Sequence, residues 1–279
     1  MTRRQIEIAV IGTLIIAIIL YAAAGIVYAG VLTATADRTL NIVVSHQNSL
    51  NTSFTEINNE VGALGSDSPF NPQQTVALVD RAAANSAVEL ATINQDDESL
   101  ASVQGQLNGS RWLTLVGRTG MDHETSKVDH ARNALAAAHT ISADGALDLR
   151  FWHFLYTALV DLETLNTQAG GGDLNAAKTT LGQMQNDVGQ AIQRSTAPGL
   201  PSDLHSLMID LQTFATDYGK QLAAQIAGDD ATVAQYQSTI NSDREKLGSY
   251  DVDKIQADIN AFYKPLVDRF NSEMAAATS

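Results

Sequence analysis

The densest group of side chains that could bind a ligand lies in residues 150–156, with the sequence Arg-Phe-Trp-His-Phe-Leu-Tyr. Residues four apart are neighbours on a helix, so Trp152 and Tyr156 should touch. Aromatic walls with a few polar groups are typical of small-molecule pockets. We therefore predict a ligand site lined by Arg150, Trp152, His153 and Tyr156, in which Arg150 and His153 fix the polar end of an apolar or aromatic ligand. Alternatively, the rings fill the widest part of a helical core.

Other reactive constellations are weaker. The six His residues form no Glu-x-x-His or His-Glu-x-x-His motif, and the chain has no Gly-x-Ser-x-Gly elbow and no phosphate-binding loop. His123 and His130 would share a face of a continuous helix, where a further carboxylate could complete a zinc site. The alternative is that both imidazoles are exposed or hydrogen-bonded. With no Cys in the chain, we predict no catalytic residue, no metal and no cofactor, and hence a protein that is not an enzyme.

An uncharged run of 29 residues, 8–36, begins shortly after Arg3 and Arg4. As a helix it would reach about 43 Å, against a hydrocarbon core of about 30 Å. We predict a single transmembrane anchor over 8–36 and a cytoplasmic tail over 1–7. A cleavable signal peptide is the alternative, although its apolar core would be about half as long.

The positive residues orient this anchor. Because Arg3 and Arg4 precede it, the positive-inside rule places the N-terminus in the cytoplasm and the bulk of the chain outside. We expect the cell membrane of a bacterium, with an extracytoplasmic part that begins after Ala36. A tail of about seven residues leaves no room for an output domain, so any signal would need a membrane partner.

Charge and composition narrow the class of the external part. All but Arg3 and Arg4 of the 17 Lys and Arg residues follow residue 36, as do all but Glu7 of the 31 Asp and Glu residues, so that part carries a net charge of −15. Such a charge disfavours nucleic acid as a partner. The one run of three acids, residues 96–98, is typical of a solvated helix face. Few aromatic residues and much Ala, Leu and Gln favour helices.

Apolar residues recur at spacings of three and four along most of the external part, which predicts an all-α bundle of about six to seven helices. The first stripe follows the anchor directly and indicates a coiled-coil-like seam with one polar position. Its members are Leu40, Val43, Gln47, Leu50, Phe54, Ile57, Val61 and Leu64.

Turn residues punctuate the later stripes. We predict helix starts at Asn71-Pro72 and Asp173, stops at Asn108-Gly109 and Gly228, and breaks at 197–201 and 248–249. We also predict a turn at 142–145 and a local kink or end at Pro265. The triple glycine 170–172 separates a first helical unit, 37–168, from a second, 173–279, although the two could form one continuous bundle.

One segment, His123 to Ala134, has the sequence His-Glu-Thr-Ser-Lys-Val-Asp-His-Ala-Arg-Asn-Ala. It resembles a segment of LemA-type proteins. Those proteins are anchored by one amino-terminal helix and carry an external helical bundle, so the resemblance implies the same arrangement for this chain. The resemblance covers about a dozen residues, and the Asn-Leu-Val stretch of that family is absent upstream. We therefore do not assign the chain to that family.

These observations favour a membrane-anchored, non-enzymatic helical bundle that binds a protein partner or holds an assembly in the envelope, with a homo-oligomer as one form. The alternative function is a ligand-sensing ectodomain that uses the 150–156 segment and signals through a membrane partner.

Overall fold

The computed structural model describes residues 26–49, 52, 71–111 and 118–279, and this part of the chain is helical without a strand. The described part of helix α1 covers residues 26–49. It is followed by α2 (Pro72–Gly109), α3 (Arg118–Gly170), α4 (Leu174–Arg194), α5 (Ser202–Ala227), α6 (Asp230–Leu247) and α7 (Val252–Ala277). The predicted all-helical class and bundle architecture are confirmed.

Local signals explain most helix ends. The Asn71 side chain accepts a hydrogen bond from the Gln74 N–H, and the Asp173 side chain accepts one from the Ala176 N–H. Both are N-caps of the predicted kind. Gly228 ends α5 in the left-handed conformation, with φ 70°.

The turn predicted at 142–145 is wrong, because helix α3 continues through these residues. At Pro265 the predicted helix end is wrong, because α7 continues to Ala277, whereas a local kink there stays a prediction. Ser142 is buried, and its carbonyl accepts a 3.0 Å hydrogen bond from the Ser86 hydroxyl, so a tertiary contact supports the helix where turn residues predicted a break.

Contacts divide the chain into two compact units. The first contains the described residues of 1–50, 91–139 and 267–279, and the second those of 51–90 and 140–266. Each unit combines separate stretches of chain, and α2, α3 and α7 contribute to both. The predicted linear boundary at 168–173 stays a prediction.

The core of the first unit is built from α1, α2, α3 and α7. The seam residues Leu40 and Val43 are buried there, and Gln47 donates a 3.3 Å hydrogen bond to Asp96. Asp96 is itself buried, with His46 2.9 Å from its other carboxylate oxygen. The expectation that residues 96–98 are a solvated face is therefore wrong for Asp96, because this carboxylate satisfies the polar position of the seam.

The predicted anchor and seam are described only in part. Residues 1–25 lie outside the described residues, as do the seam members Leu50, Phe54, Ile57, Val61 and Leu64. Of the helices that the structure describes, none combines the length and apolar character needed to cross a membrane.

The core of the second unit is formed by α3, α4 and α5, with smaller contributions from α6 and α7. Its completely buried side chains include Phe151, Leu165, Met184 and Val188. Trp152, Phe154, Leu159 and Leu162 pack against this core while remaining partly exposed. The rings of α3 therefore take part in this core, Phe151 within it and Trp152 and Phe154 at its margin.

Candidate functional site

The predicted ligand residues all lie on α3 within the second unit, and two of them, Trp152 and Tyr156, have their rings in contact. The Trp152 ring lies 5.0 Å from that of Phe151 in an edge-on arrangement and 5.8 Å from that of Tyr156 in a stacked one. Burial raises the pKa of the Tyr156 phenol. Because Trp152 packs against the core, this cluster has the character of a core wall.

His153 is engaged with a different neighbour. Its Nδ1 lies 2.7 Å from Oδ1 of Asp80, on α2. Burial raises the pKa of Asp187, on α4, and the nearby His153 partly offsets that rise. His153 therefore belongs to a polar cluster with two carboxylates.

Arg150 lines a groove of about 450 Å³ beside the connection between α4 and α5. The predicted set is thus divided, because Trp152, His153 and Tyr156 are not among the residues that line this groove. The complete lining is Leu147, Arg150, Gln193, Arg194, Thr196, Ala197 and Pro198.

The second cation of the groove is Arg194, which sequence reasoning missed. Its guanidinium lies over the Phe154 ring, 4.5 Å from the centroid. Its Nη1 donates hydrogen bonds of 2.9 and 2.8 Å to the carbonyl and the side-chain oxygen of Gln190. These contacts fix the plane of the guanidinium. The only sequence signal was an arginine just before the break at 197–201.

The connection from α4 to α5 is held at its first residue by a buried hydrogen-bond pair. Ser195 is 1% exposed, and its hydroxyl lies 2.6 Å from Nδ1 of His205. The same hydroxyl donates a 2.8 Å hydrogen bond to the Ile192 carbonyl. Because the Ser195 hydroxyl donates its one proton to the Ile192 carbonyl, its oxygen accepts from Nδ1–H of His205 in the other contact. This pair anchors the loop.

The far end of the same connection packs against a buried carboxylate. Gly199 has φ +90°, and a Cβ there would lie 3.0 Å from both Asp148 Oδ2 and the Tyr263 ring. Tyr263 donates a 2.6 Å hydrogen bond to Asp148 Oδ2. Burial raises the pKa of Asp148 to about 6, the Tyr263 hydrogen bond opposes the rise and Asp144 adds to it. The pKa of Tyr263 is raised by burial and by Asp148.

A second cleft, of about 670 Å³, lies in the first unit between α2 and α3. Arg132 spans it, donating from Nε and Nη2 to the two oxygens of Asp97 at 2.8 and 3.2 Å and from Nη1 to Gln104 at 2.6 Å. Gln104 in turn donates to Asp129. The one arginine of this cleft is therefore already paired with a carboxylate, and the second carboxylate, Asp129, leaves the cleft acidic.

Neither cavity has the geometry of a metal centre. Across residues 26–49, 71–111 and 118–279, no group of three His, Asp or Glu side chains could hold an ion. His130, a residue of the zinc alternative, instead lies 2.7 Å from Glu273, and this contact lowers the pKa of the Glu273 carboxyl.

The groove of the second unit is the better candidate for a ligand, because it contains cationic side chains that no carboxylate of its lining neutralises. Comparison of the chain with protein-family models, with curated proteins and with solved structures gives no match.

Proposed function

We propose that this chain is a membrane-anchored helical-bundle protein of the cell envelope, and that its extracytoplasmic part binds a protein partner or holds an assembly. The observation that carries the proposal is the exposure of apolar side chains in the first described turns of α1. Ile26, Val27 and Val31 are more than half exposed at the end of the uncharged run. Apolar side chains of this size are stabilised when lipid or protein covers them.

The burial pattern of α1 suggests where the membrane span ends. The core of the first unit includes Ala29, Leu32 and Ala36. The last residues of the predicted anchor therefore pack against protein. We propose that the lipid-embedded stretch is about 8–28. As a helix it would reach about 31 Å, enough for the hydrocarbon core. Tyr28 would then lie at the interface, where tyrosine is favoured.

The orientation rests on Arg3 and Arg4, which favour a cytoplasmic N-terminus. A protease added to intact spheroplasts should degrade the chain beyond Asp37, whereas a cytoplasmic marker protein should survive. The chain should also stay with the membrane pellet at alkaline pH. Protection of the chain until lysis would reverse the orientation, and release into the supernatant at alkaline pH would contradict the anchor.

The binding role, in place of a catalytic one, is supported by the lack of a catalytic motif in the sequence and by exposed apolar side chains on α7. Val252 is 71% exposed and Phe262 is 41% exposed. A photocrosslinking amino acid at either position should give an adduct with a partner in intact cells. The same residue at Ile255, which is 4% exposed, is the matched control. Equal adducts at all three positions, or none at the exposed ones, would contradict a partner at this surface.

A second function, a ligand-sensing ectodomain that signals through a membrane partner, is favoured by one observation. The groove of the second unit contains both Arg150 and Arg194, and its size falls in the range of small-molecule sites. If the protein is such a sensor, adding ligand should change the yield of photocrosslinked adducts at Val252 or Phe262. If it is a constitutive assembly protein, the yield should stay the same.

A further inference from the structure

We propose that the groove lined by Arg150 and Arg194 binds a small organic anion, in which a carboxylate or phosphate group is carried by an apolar body. This inference rests on the ligand-sensing alternative and names its class of ligand. It does not depend on membrane orientation or on the partner at α7.

The charge of the groove is opposite to that of the protein. The chain carries a net charge of −14 and contains 31 Asp and Glu residues, yet the seven lining residues include two arginines and no carboxylate. The net negative charge of the protein repels anions at long range. An anion is therefore bound at this groove only through short-range contacts with the two arginines. Asp148, a carboxylate that contacts the loop at Gly199, is buried.

Arg150 has its charge available for a ligand. In the described part of the chain, its guanidinium makes no hydrogen bond or ion pair. Three lysines of the second unit are by contrast paired with carboxylates: Lys220 with Asp217 at 2.7 Å, Lys246 with Asp210 at 2.7 Å and Lys254 with Asp203 at 2.8 Å. In so acidic a protein, an exposed arginine without a carboxylate partner marks a place where an external anion gains most.

Arg194 supplies geometry in addition to charge. Its stacking on Phe154 and its Nη1 contacts with Gln190 hold the guanidinium plane. The donors Nε and Nη2 make no hydrogen bond within the described residues, and together they form the edge that pairs side-on with two oxygens of a carboxylate or phosphate. A lysine could supply the charge but not this fork.

The remaining lining fits an apolar body. Leu147 is 41% exposed and shares the groove with Ala197 and Pro198. The Gln193 amide and the Thr196 hydroxyl add neutral hydrogen-bonding groups beside the two cations. A simple ion would use only the arginines, whereas an organic anion would also cover the apolar side chains and gain from their burial.

The wall of the groove formed by 196–198 is held in place before any ligand arrives. The Ser195–His205 contact fixes one side of it, and the packing of Gly199 against Asp148 and Tyr263 fixes the other. A preformed wall reduces the ordering cost of binding. The groove is open to solvent, so we expect affinities of about 1 mM for a fragment-sized probe.

The test uses the full chain in lipid nanodiscs, with titration of benzoate followed through the amide NMR signals of Gln193, Thr196 and Ala197. Benzamide, a neutral molecule of the same shape, is the probe control. Benzoate should shift these signals in a saturable way that weakens as salt rises, and benzamide should not. Phenyl phosphate distinguishes the two sources of the anion, since the tighter of the two probes identifies the preferred group.

Arg150→Gln should weaken benzoate binding about tenfold, as expected for loss of a charged hydrogen-bonding group. Arg194→Lys should weaken it less than Arg194→Gln, because the charge remains and the fork is lost. The matched control is Arg38→Gln, which removes the same charge from an exposed position on α1 and should leave binding unchanged.

Because Arg194 also contacts Phe154, loss of its side chain could destabilise the fold. The Arg194 variants therefore count only if their melting temperature equals that of wild type. If it does not, the exposed Arg150→Gln variant alone tests the proposal. Equal shifts with benzoate and benzamide would overturn the proposal, as would equal affinities of Arg150→Gln and Arg38→Gln. Either outcome would leave the anchoring and photocrosslinking results untouched, so failure here is distinguishable from failure of the proposed function.

Discussion

The phenol of Tyr263, on α7, donates a hydrogen bond of 2.6 Å to Asp148, a carboxylate 115 residues earlier on α3. Asp148 is 6% exposed, and its Oδ1 has no hydrogen-bond partner among the described residues. The tyrosine therefore satisfies one oxygen of a carboxyl group whose other oxygen is buried without compensation. Such a group is costly in its charged form.

The first prediction concerns the pH dependence of stability through Asp148. Its folded pKa of about 6 is above the ordinary value of 3.8, so the unfolded chain releases this proton first. The contribution of Asp148 is fully present below about pH 4 and is lost as pH rises through about 6. Asp148→Asn keeps an oxygen acceptor for Tyr263 and should raise the unfolding free energy at pH 8 by up to about 3 kcal/mol.

Denaturant titrations of the full chain at pH 5 and pH 8 would measure this effect. Asp161, whose pKa is raised to about 6 by burial and by Asp187, should retain part of the pH dependence in the variant. Asp253→Asn, at an exposed position, is the control and should change little. A variant that is less stable than wild type at pH 8 would show that the carboxylate is stabilising.

The second prediction concerns Gly199. Gly199→Ala places a methyl group 3.0 Å from Asp148 Oδ2 and the Tyr263 ring at a residue with φ +90°. It should lower the unfolding free energy by about 1–3 kcal/mol. Gly182→Ala, in α4, where nothing lies within 4 Å of the added Cβ, should stabilise by up to about 1 kcal/mol. Thermal melts of the two variants with the same sign would contradict this account.

The third prediction tests whether the α1 seam packs within its own chain. Val43 is 1% exposed and its neighbour Ile42 is 48% exposed. Val43→Asp should cost about 3 kcal/mol or more because an unpaired charge enters the core, whereas Ile42→Asp should change stability by less than about 0.5 kcal/mol. Melting combined with sedimentation decides this. Unchanged melting with dissociation of a wild-type dimer would make the seam an interface between copies.

The fourth prediction separates the ring cluster from the groove. Phe151→Ala, at a completely buried position, should cost about 3–5 kcal/mol. Trp152→Ala should also lower the melting temperature, because this ring packs against the same core, yet it should leave benzoate affinity within about twofold of wild type. Arg150→Gln should show the reverse pattern. If a well-folded Trp152→Ala protein loses benzoate binding, the result would contradict this prediction and support the ligand pocket that the sequence predicted around Trp152.

Local features of the sequence accounted for the helical class and for most helix ends. Asn71, Asp173 and Gly228 act within one turn of their own position, so their effect needs no knowledge of the rest of the fold. The turn predicted at 142–145 failed because Ser86, more than fifty residues away, hydrogen-bonds the Ser142 carbonyl. The helix end predicted at Pro265 is wrong for a different reason. This proline lies on an exposed side of α7, where water can satisfy the carbonyl that loses its partner.

The site was predictable only where its residues are adjacent in sequence. The contact between Trp152 and Tyr156 follows from helical spacing and was predicted. The pairing of Arg150 with Arg194 in one groove depends on how α3 and α4 pack in register, and apolar stripes do not specify that register. The role of Gln47 was anticipated as a polar position in the seam, but its partner Asp96 required the fold.

The interlocking of Asp148, Gly199 and Tyr263 has a consequence for how this protein can diverge. Loss of the phenol alone would leave both carboxylate oxygens buried without a donor, and a larger residue in place of the glycine would displace both neighbours. Drift at these positions should therefore be coupled. Exchange of the tyrosine for phenylalanine should accompany a neutral residue at 148, while the glycine persists. Distant descendants could differ over most of their helical surfaces and still be recognised by this correlated trio.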